Sequence, residues 1–444
     1  MTNFSKLGFI MATLGSSIGL GHIWRFPTMA GLNGGSVFIA IFLLISFGVG
    51  ISMLVAEMLI GNRTKTNAQD AFAALDESKH KKWHYVGFCI VGGPLILTFY
   101  CVVLGWVVYY LGVISTDLPT NMQDSKLLFS QLKENILAQI ISLFVVVFLT
   151  AYFVAKGVKD GIEKLNFILM PMLFIVFLGL LFYAMSMEHF VDSVKFMFAP
   201  DFSKVTAQTL IDSMGQVFFS LSLGIGIVIT YAAFTESKQN LFHAALWVVI
   251  PGIIISLIAG LTIFTFVFEY KGDVAEGTGL VFITLPVMFA QMGFFGSIVC
   301  ILFMVGLAFA GISSTISLLE PSIKWLLDKT GKSRGVLTYS VGFVVFVVGC
   351  VLIVSLNENA LQFGGKSLFE WADWISANIL MTFGGILSAV FVGYAIKREH
   401  LREWTRDYFS EGMFRFWLFA IKYLAPLMVL CIFTYQIYAL IKGK

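Results

Sequence analysis

Charge is what this sequence has least of. Lys, Arg, Asp and Glu together make up 12% of its 444 residues, where a water-soluble chain carries about 25%. That deficit excludes an ordinary cytosolic enzyme and a disordered scaffold, and without a basic tract it also excludes a nucleic-acid binder. Cysteine is sparse too. Cys89, Cys101, Cys300, Cys350 and Cys431 all lie in apolar runs, with neither metal-site spacing nor a disulfide framework. A serine-triad motif, a Gly-Lys-Thr phosphate loop and a His/Cys cluster are all missing, so no enzyme is expected.

Apolar residues are abundant instead: 58% of the chain, with a mean hydropathy of +0.88. That is enough for roughly eleven bilayer spans of about 20 residues in one membrane domain covering residues 1–444. From Met1 the sequence runs straight into apolar residues without a small-residue cleavage site, so the first segment is expected to stay as a helix. Apolar stretches long enough to cross about 30 Å of hydrocarbon fall at 7–32, 36–62, 84–115, 136–155, 162–186, 208–236, 241–269, 296–327, 335–356, 370–396 and 414–441.

Basic residues mark alternate connections. Arg63, Lys65, Lys79, Lys81 and Lys82 follow the second span, and Lys156, Lys159 and Lys164 the fourth. Lys329, Lys332 and Arg334 follow the eighth, and Lys397, Arg398, Arg402 and Arg406 the tenth. By the positive-inside rule these connections are cytoplasmic, with the N-terminus. An odd number of spans then puts the tail Lys442-Gly443-Lys444 outside the cell. The net charge of +3 is too small to imply an acidic partner. Arg398 to Gly412, charged and aromatic, reads as an interfacial helix.

Two spans are interrupted. The first holds Gly15-Ser16-Ser17-Ile18-Gly19-Leu20-Gly21, and the sixth holds Ser220-Leu221-Ser222-Leu223-Gly224-Ile225-Gly226. Small residues in one membrane helix commonly mean close helix packing. A pair of such runs five spans apart points instead to discontinuous helices of an inverted-repeat transporter, where unwound backbone forms a midplane site.

The segment Gly19-Leu20-Gly21-His22-Ile23-Trp24-Arg25-Phe26-Pro27, followed by Asn33-Gly34-Gly35, resembles the first-span signature of the neurotransmitter:sodium symporter family. The resemblance continues through Lys156-Gly157-Val158-Lys159-Asp160-Gly161-Ile162-Glu163-Lys164, Gln216-Val217-Phe218-Phe219-Ser220-Leu221-Ser222 and Ala310-Gly311-Ile312-Ser313-Ser314. It covers essentially the whole chain. Eleven spans and short termini are similar to the bacterial branch. The resemblance implies an all-α polytopic membrane protein of the leucine-transporter type. Its five-plus-five inverted repeat would take spans one to five (7–186) and six to ten (208–396), with span eleven (414–441) peripheral. Spans one and six would be unwound at mid-membrane.

A zwitterionic amino acid needs donors for its carboxylate, acceptors for its ammonium and a matching side-chain pocket. By resemblance, free N–H groups at Leu20 and Gly21 and the Tyr100 hydroxyl would hold the carboxylate. Carbonyls of Ser17, Phe219 and Ser220, with Ser222, would take the ammonium. The pocket would be Ile96, Tyr100, Phe219, Ser222, Ile225, Ser314 and Leu318, without a countercharge, which suits a neutral hydrophobic amino acid. Monoamine members place an aspartate where Gly19 stands. Ile225 replaces a phenylalanine of some relatives, which leaves room for bulkier or aromatic substrates.

The implied ion is sodium, a hard cation suited by carbonyl and hydroxyl oxygens. Carbonyls of Gly15, Ile18 and Ala310, with hydroxyls of Ser313 and Ser314, match one family sodium site. The two hydroxyls could alternatively bond back to their own helix. A second site, beside the substrate carboxylate, keeps Ser220 but has His22 and Gly252 in place of two asparagines. A chloride site keeps Gln216, Ser220 and Ser256 but has Phe42 for a tyrosine and the same Gly252. His22 could supply charge or a proton near the carboxylate, or stay neutral and bonded locally.

Charged residues inside spans are functional candidates. Arg25 with Asp373 resembles an outer ion-pair gate under which Phe219 is an aromatic lid, and Asp328 matches an inner-gate position. Glu57 is expected to bond to unwound backbone of the sixth span. The family's inner tyrosine falls at Phe234, with Tyr231 a turn earlier, and Asn3 stands for a tryptophan, so inner closure is expected to use Phe4 and Lys6. The reading is a sodium-coupled amino-acid symporter of the cell membrane, with bilayer lipid and a small-molecule substrate as partners and no oligomeric state implied. The rivals are a proton-coupled transporter using His22 and an amino-acid-binding sensor.

Overall fold

The structure is a computed structural model that describes residues 3–78, 80–114, 118–271, 279–357, 362–364 and 366–441. Met1, Lys79 of the basic connection after the second span and the tail Lys442-Gly443-Lys444 lie outside these. Among the described residues the chain is helical, with one isolated antiparallel bridge between Phe363 and Lys366.

Helix occupies each of the eleven apolar segments. Eight are long and apolar enough to cross a membrane: Ser36–Thr64, Lys82–Ile114, Ile136–Ala155, Val158–Ala184, Leu241–Glu269, Phe295–Thr330, Arg334–Ser355 and Glu411–Tyr435. The first segment is a bent pair, Lys6–Ser17 and Gly21–Leu32, at 52° to one another. The sixth is split into Ala207–Ser220 and Ile227–Ala233. The tenth stays helical from Leu368 to Ala395 through successive α and π turns. Where sequence placed the third span's start at 84, a 3-10 stretch, Lys82–Val91, leads into it. The expected interfacial helix is shorter than its composition suggested. It ends at Thr405, and Ser410 already caps the last segment through Met413 N–H. Its Arg402 binds Glu411 at 3.1 Å and the Phe409 carbonyl at 2.9 Å.

The two breaks have local causes. Ile18 at the end of Lys6–Ser17 adopts an extended conformation. In the sixth segment Ser222, Gly224 and Gly226 have φ of 52°, 84° and 77°, a left-handed path that no helix can follow. Gly224 is also fixed by space, since a Cβ there would strike the Met381 carbonyl and stand 2.5 Å from the Gly385 nitrogen. The broken helices are buried among the rest. The eighth segment packs along the third, the ninth along the fourth, and Ile227–Ala233 against the second. Large apolar side chains such as Phe144, Ile175, Phe182 and Phe343 face outward from segments four, five and nine, as hydrocarbon-facing side chains do.

Candidate functional site

The two interruptions meet. Ser222 Oγ donates to the Ser16 carbonyl at 3.1 Å, and Gln216 Nε2 donates to the Gly21 carbonyl at 2.8 Å. Gly224 N–H donates to Glu57 Oε1 at 2.9 Å, the bond expected from the sequence. The Ser16 carbonyl and the Gly224 N–H are backbone groups that the breaks in the helices had freed, whereas the Gly21 carbonyl also accepts from Phe26 N–H within its own helical turn.

Between the breaks lies a cavity of about 40 Å³, lined by Ser16, Ser17, Gly19, Gly21, Ile96, Tyr100, Phe219, Ser222, Ile225, Ile227, Ser314, Leu318 and Met381. Nine of the eleven expected substrate residues line it: Ser17, Gly21, Ile96, Tyr100, Phe219, Ser222, Ile225, Ser314 and Leu318. Leu20 and Ser220 do not. Leu20 N–H is not free either, because it donates to the Tyr100 hydroxyl at 3.1 Å. Ser220 Oγ turns back to the Val217 carbonyl at 3.1 Å. Met381, from the tenth segment, was not foreseen, since nothing in an apolar run marks which methionine faces inward. The volume admits about three waters, so the site is contracted.

Gly19 is held small. A Cβ there would collide with Ser314 Oγ and stand 2.8 Å from the Tyr100 hydroxyl, so a longer side chain has no room in this arrangement.

Phe219 covers the cavity with its ring against Gly21, where a Cβ would be 2.7 Å from two ring carbons. Arg25 lies over the same ring, its guanidinium carbon 4.5 Å from the centroid. The expected Arg25–Asp373 ion pair is not closed. Asp373 and Asp212 both act on Arg25 through charge, yet among the described residues it forms no direct ion pair with either. Asp212, overlooked in the sequence, accepts from Asn33 Nδ2 at 3.0 Å and Gln208 Nε2 at 2.7 Å. His22 is buried, and among the described residues its Nδ1 has no hydrogen-bond partner.

Of the expected sodium ligands, Gly15 and Ser313 lie side by side where the first and eighth segments touch: a Cβ on Gly15 would be 3.3 Å from Ser313 Cβ. Ser313 Oγ donates to the Ala310 carbonyl at 2.9 Å, the local bond that sequence left open. That bond uses the hydroxyl hydrogen and leaves lone pairs for a cation. Ser313, Ala310 and Ile18 are fully buried and Ser314 nearly so. Oxygen donors without a carboxylate fit a hard monovalent ion.

Below the cavity, Tyr231 OH donates to Ser317 Oγ at 2.9 Å. Phe4 packs edge-on against Tyr231 and Phe234, at 5.5 and 6.1 Å, and its N–H donates to the Phe234 carbonyl at 3.0 Å. Lys6 lies 3.9 Å from Glu236, both exposed. Asp328 accepts from Lys324 at 2.8 Å and Asn67 at 2.9 Å. Ser5 Oγ and N–H both donate to the Glu163 carboxylate, at 2.6 and 3.1 Å. An ion pair between the buried Glu320 and the half-buried Arg334 was also missed, although an acid in the apolar run of the eighth segment was the signal for it.

Broken helices crossing around a buried cavity, in a bundle of membrane-length apolar helices, define a multi-pass membrane transporter. A profile of the Sodium:neurotransmitter symporter family matches residues 2–126 and 120–443. The chain belongs to this family, which is one of transporters and not of enzymes, and within it to the bacterial branch. It is 33% identical to the uncharacterized sodium-dependent transporter YhdH of Bacillus subtilis, over 97% of this chain and 96% of that one. It is 32% identical to an uncharacterized sodium-dependent transporter of Haemophilus influenzae, over 98% and 97%. Its fold is that of MhsT, solved in complex with L-phenylalanine. The TM-score is 0.89 at 30% identity, covering 98% of this chain and all of that one.

Proposed function

We propose that this transporter couples sodium entry to uptake of a neutral, hydrophobic amino acid, aliphatic or aromatic, by alternating access. The observation that carries the reading is the cavity lining, which combines hydroxyl and glycine residues with Ile96, Ile225, Ile227, Leu318 and Met381 and includes no charged side chain among the described residues. Such a pocket suits a zwitterion with an uncharged side chain. The L-phenylalanine complex of MhsT and the sodium-dependent relatives agree with it.

Gly15, Ile18, Ala310, Ser313 and Ser314 would hold the sodium ion, which supplies the driving gradient and ties the first segment to the eighth. Chloride would not be required, because Phe42 and Gly252 offer an anion no donor and Gln216 Nε2 is already committed to Gly21. Residues 7–186 and 208–396 would act as the two inverted halves, with the first and sixth segments rocking between them. Arg25, Asp373 and Phe219 would close the outer side, and Asp328 the inner. The N-terminus would be cytoplasmic, in the cell membrane.

A proton-coupled reading would rest on His22, a buried titratable side chain next to the cavity-lining Gly21. Labelled leucine, phenylalanine, tryptophan and tyrosine uptake into proteoliposomes, with sodium and pH gradients imposed separately and together, decides between them. Sodium-driven accumulation without chloride is the expected result. Accumulation under a proton gradient alone would move coupling to His22. Binding without accumulation would make the protein a sensor.

A further inference from the structure

One buried oxygen beside the sodium ligands is left over by this reading. Asn166, on the fifth segment, is fully buried. Its Nδ2 donates to the Ile162 carbonyl at 2.9 Å. That bond fixes the orientation of the amide, because turning it over would set oxygen against oxygen. The opposite end, Oδ1, therefore lies against Gly15. A Cβ on Gly15 would overlap Oδ1 and would be 3.3 Å from Ser313 Cβ, so Oδ1 stands where the first and eighth segments touch.

Among the described residues no donor reaches Oδ1. The neighbouring hydroxyl cannot serve, since the Ser313 hydrogen is directed at the Ala310 carbonyl. A bare amide oxygen in a dry interior is unfavourable unless something electropositive meets it. The sodium ligands assigned beside it, at Gly15 and Ser313, are a carbonyl and a hydroxyl oxygen, and no cluster of acidic, His or Cys side chains able to hold a metal occurs among the described residues. That donor set selects a hard ion of single charge.

We propose that Asn166 Oδ1 is a further ligand of the sodium ion, so that the ion joins the fifth segment to the first and the eighth. The proposal rests on the sodium site described under Proposed function. It gives the ion a second mechanical task. Helix Lys6–Ser17 is already held to the fifth segment at its start by Ser5 and Glu163, and the ion would hold it again at Gly15. Loss of the ion would leave only the first of these attachments.

The test is equilibrium binding of radioactive sodium to the purified full-length protein, with thermal unfolding in sodium and in potassium as a second readout. Asn166→Leu keeps the volume and removes the oxygen, whereas Asn166→Asp keeps an oxygen and adds charge. Ser313→Ala controls for the site itself. The expected result is a sodium half-saturation raised about ten-fold in Asn166→Leu, with loss of the extra thermal stability that sodium confers. Asn166→Asp should bind sodium at least as well as the parent. Weakened sodium in Ser313→Ala with parental sodium in Asn166→Leu would overturn the Asn166 assignment alone. Parental sodium binding in both would overturn the site and the assignment together. If Asn166→Leu does not fold, Asn166→Ser decides by the same readout, and parental sodium affinity there overturns the proposal.

Discussion

His22 Nε2 stands 2.9 Å from the point that a Cβ on Gly252 would occupy. The first-segment side chain thus fills the room that a side chain at position 252 of the seventh segment would need. Introducing Gly252→Asn alone should overpack the contact and destabilise by about 1–3 kcal/mol. Combined with His22→Asn it should recover most of that loss. Thermal unfolding of both single variants and the double gives the coupling, and purely additive effects would separate the two residues.

Gly19→Asp should not turn the protein into an amine carrier. Its Cβ would already meet Ser314 Oγ and the Tyr100 hydroxyl, so the expected outcome is loss of amino-acid binding, partly shared by Gly19→Ala. Equilibrium binding of labelled substrate checks this, and a Gly19→Ala variant with parental affinity would contradict the crowding argument.

Phe4→Ala should open the inner side. Phe4 is 4% exposed, and truncating a buried aromatic costs about 3–5 kcal/mol. The closed state bears that cost more than an open one in which Phe4 leaves its pocket. A cysteine placed at Ser317 should react faster with a polar thiol reagent in Phe4→Ala than in the parent background; equal rates would mean Phe4 is not part of the seal.

The Glu320 side chain is 0% exposed and that of its partner Arg334 20%, and Arg334 Nε also donates to the Val154 carbonyl at 2.8 Å. Arg334→Met should strand the carboxylate and cost about 3–5 kcal/mol, while the double variant with Glu320→Leu should be far closer to the parent. Thermal unfolding of the four proteins reads this directly.

Outside the spans, the hydrogen bond from His189 Nδ1 to Asp192 holds the histidine pKa above its ordinary 6.5. The protonated form is the one favoured in the folded protein. Any stabilisation of the turn into Phe190–Phe198 is therefore complete below pH 6.5 and fades as pH rises through the raised value. Histidine NMR should show the titration moving down in Asp192→Asn.

Hydropathy alone located the helices, because a bilayer demands about 20 apolar residues wherever a chain crosses. The Gly-rich runs located the breaks for an equally local reason. The seventh segment, 241–269 from sequence, is Leu241–Glu269 in the structure. What stayed hidden depends on partners far along the chain. Asn166 in a run such as Leu165-Asn166-Phe167 looks like any tolerated polar residue until Gly15 is found beside it. Glu163 appeared within a recognised motif, but its attachment to Ser5 lies 158 residues away. Leu20 N–H is bonded to Tyr100 and Arg25 stands apart from Asp373 here, because sequence gives a set of neighbours and not the state in which they are caught.

Phe4 and Ser5 are synthesised long before their partners Phe234 and Glu163. At translation rates of about 5–20 residues per second, the wait for Phe234 is on the order of tens of seconds. Throughout that interval Phe4 lacks the Tyr231 and Phe234 rings against which it packs in the finished fold. Its docking can only follow insertion of the sixth segment, so the inner seal cannot form until both interrupted spans are in place.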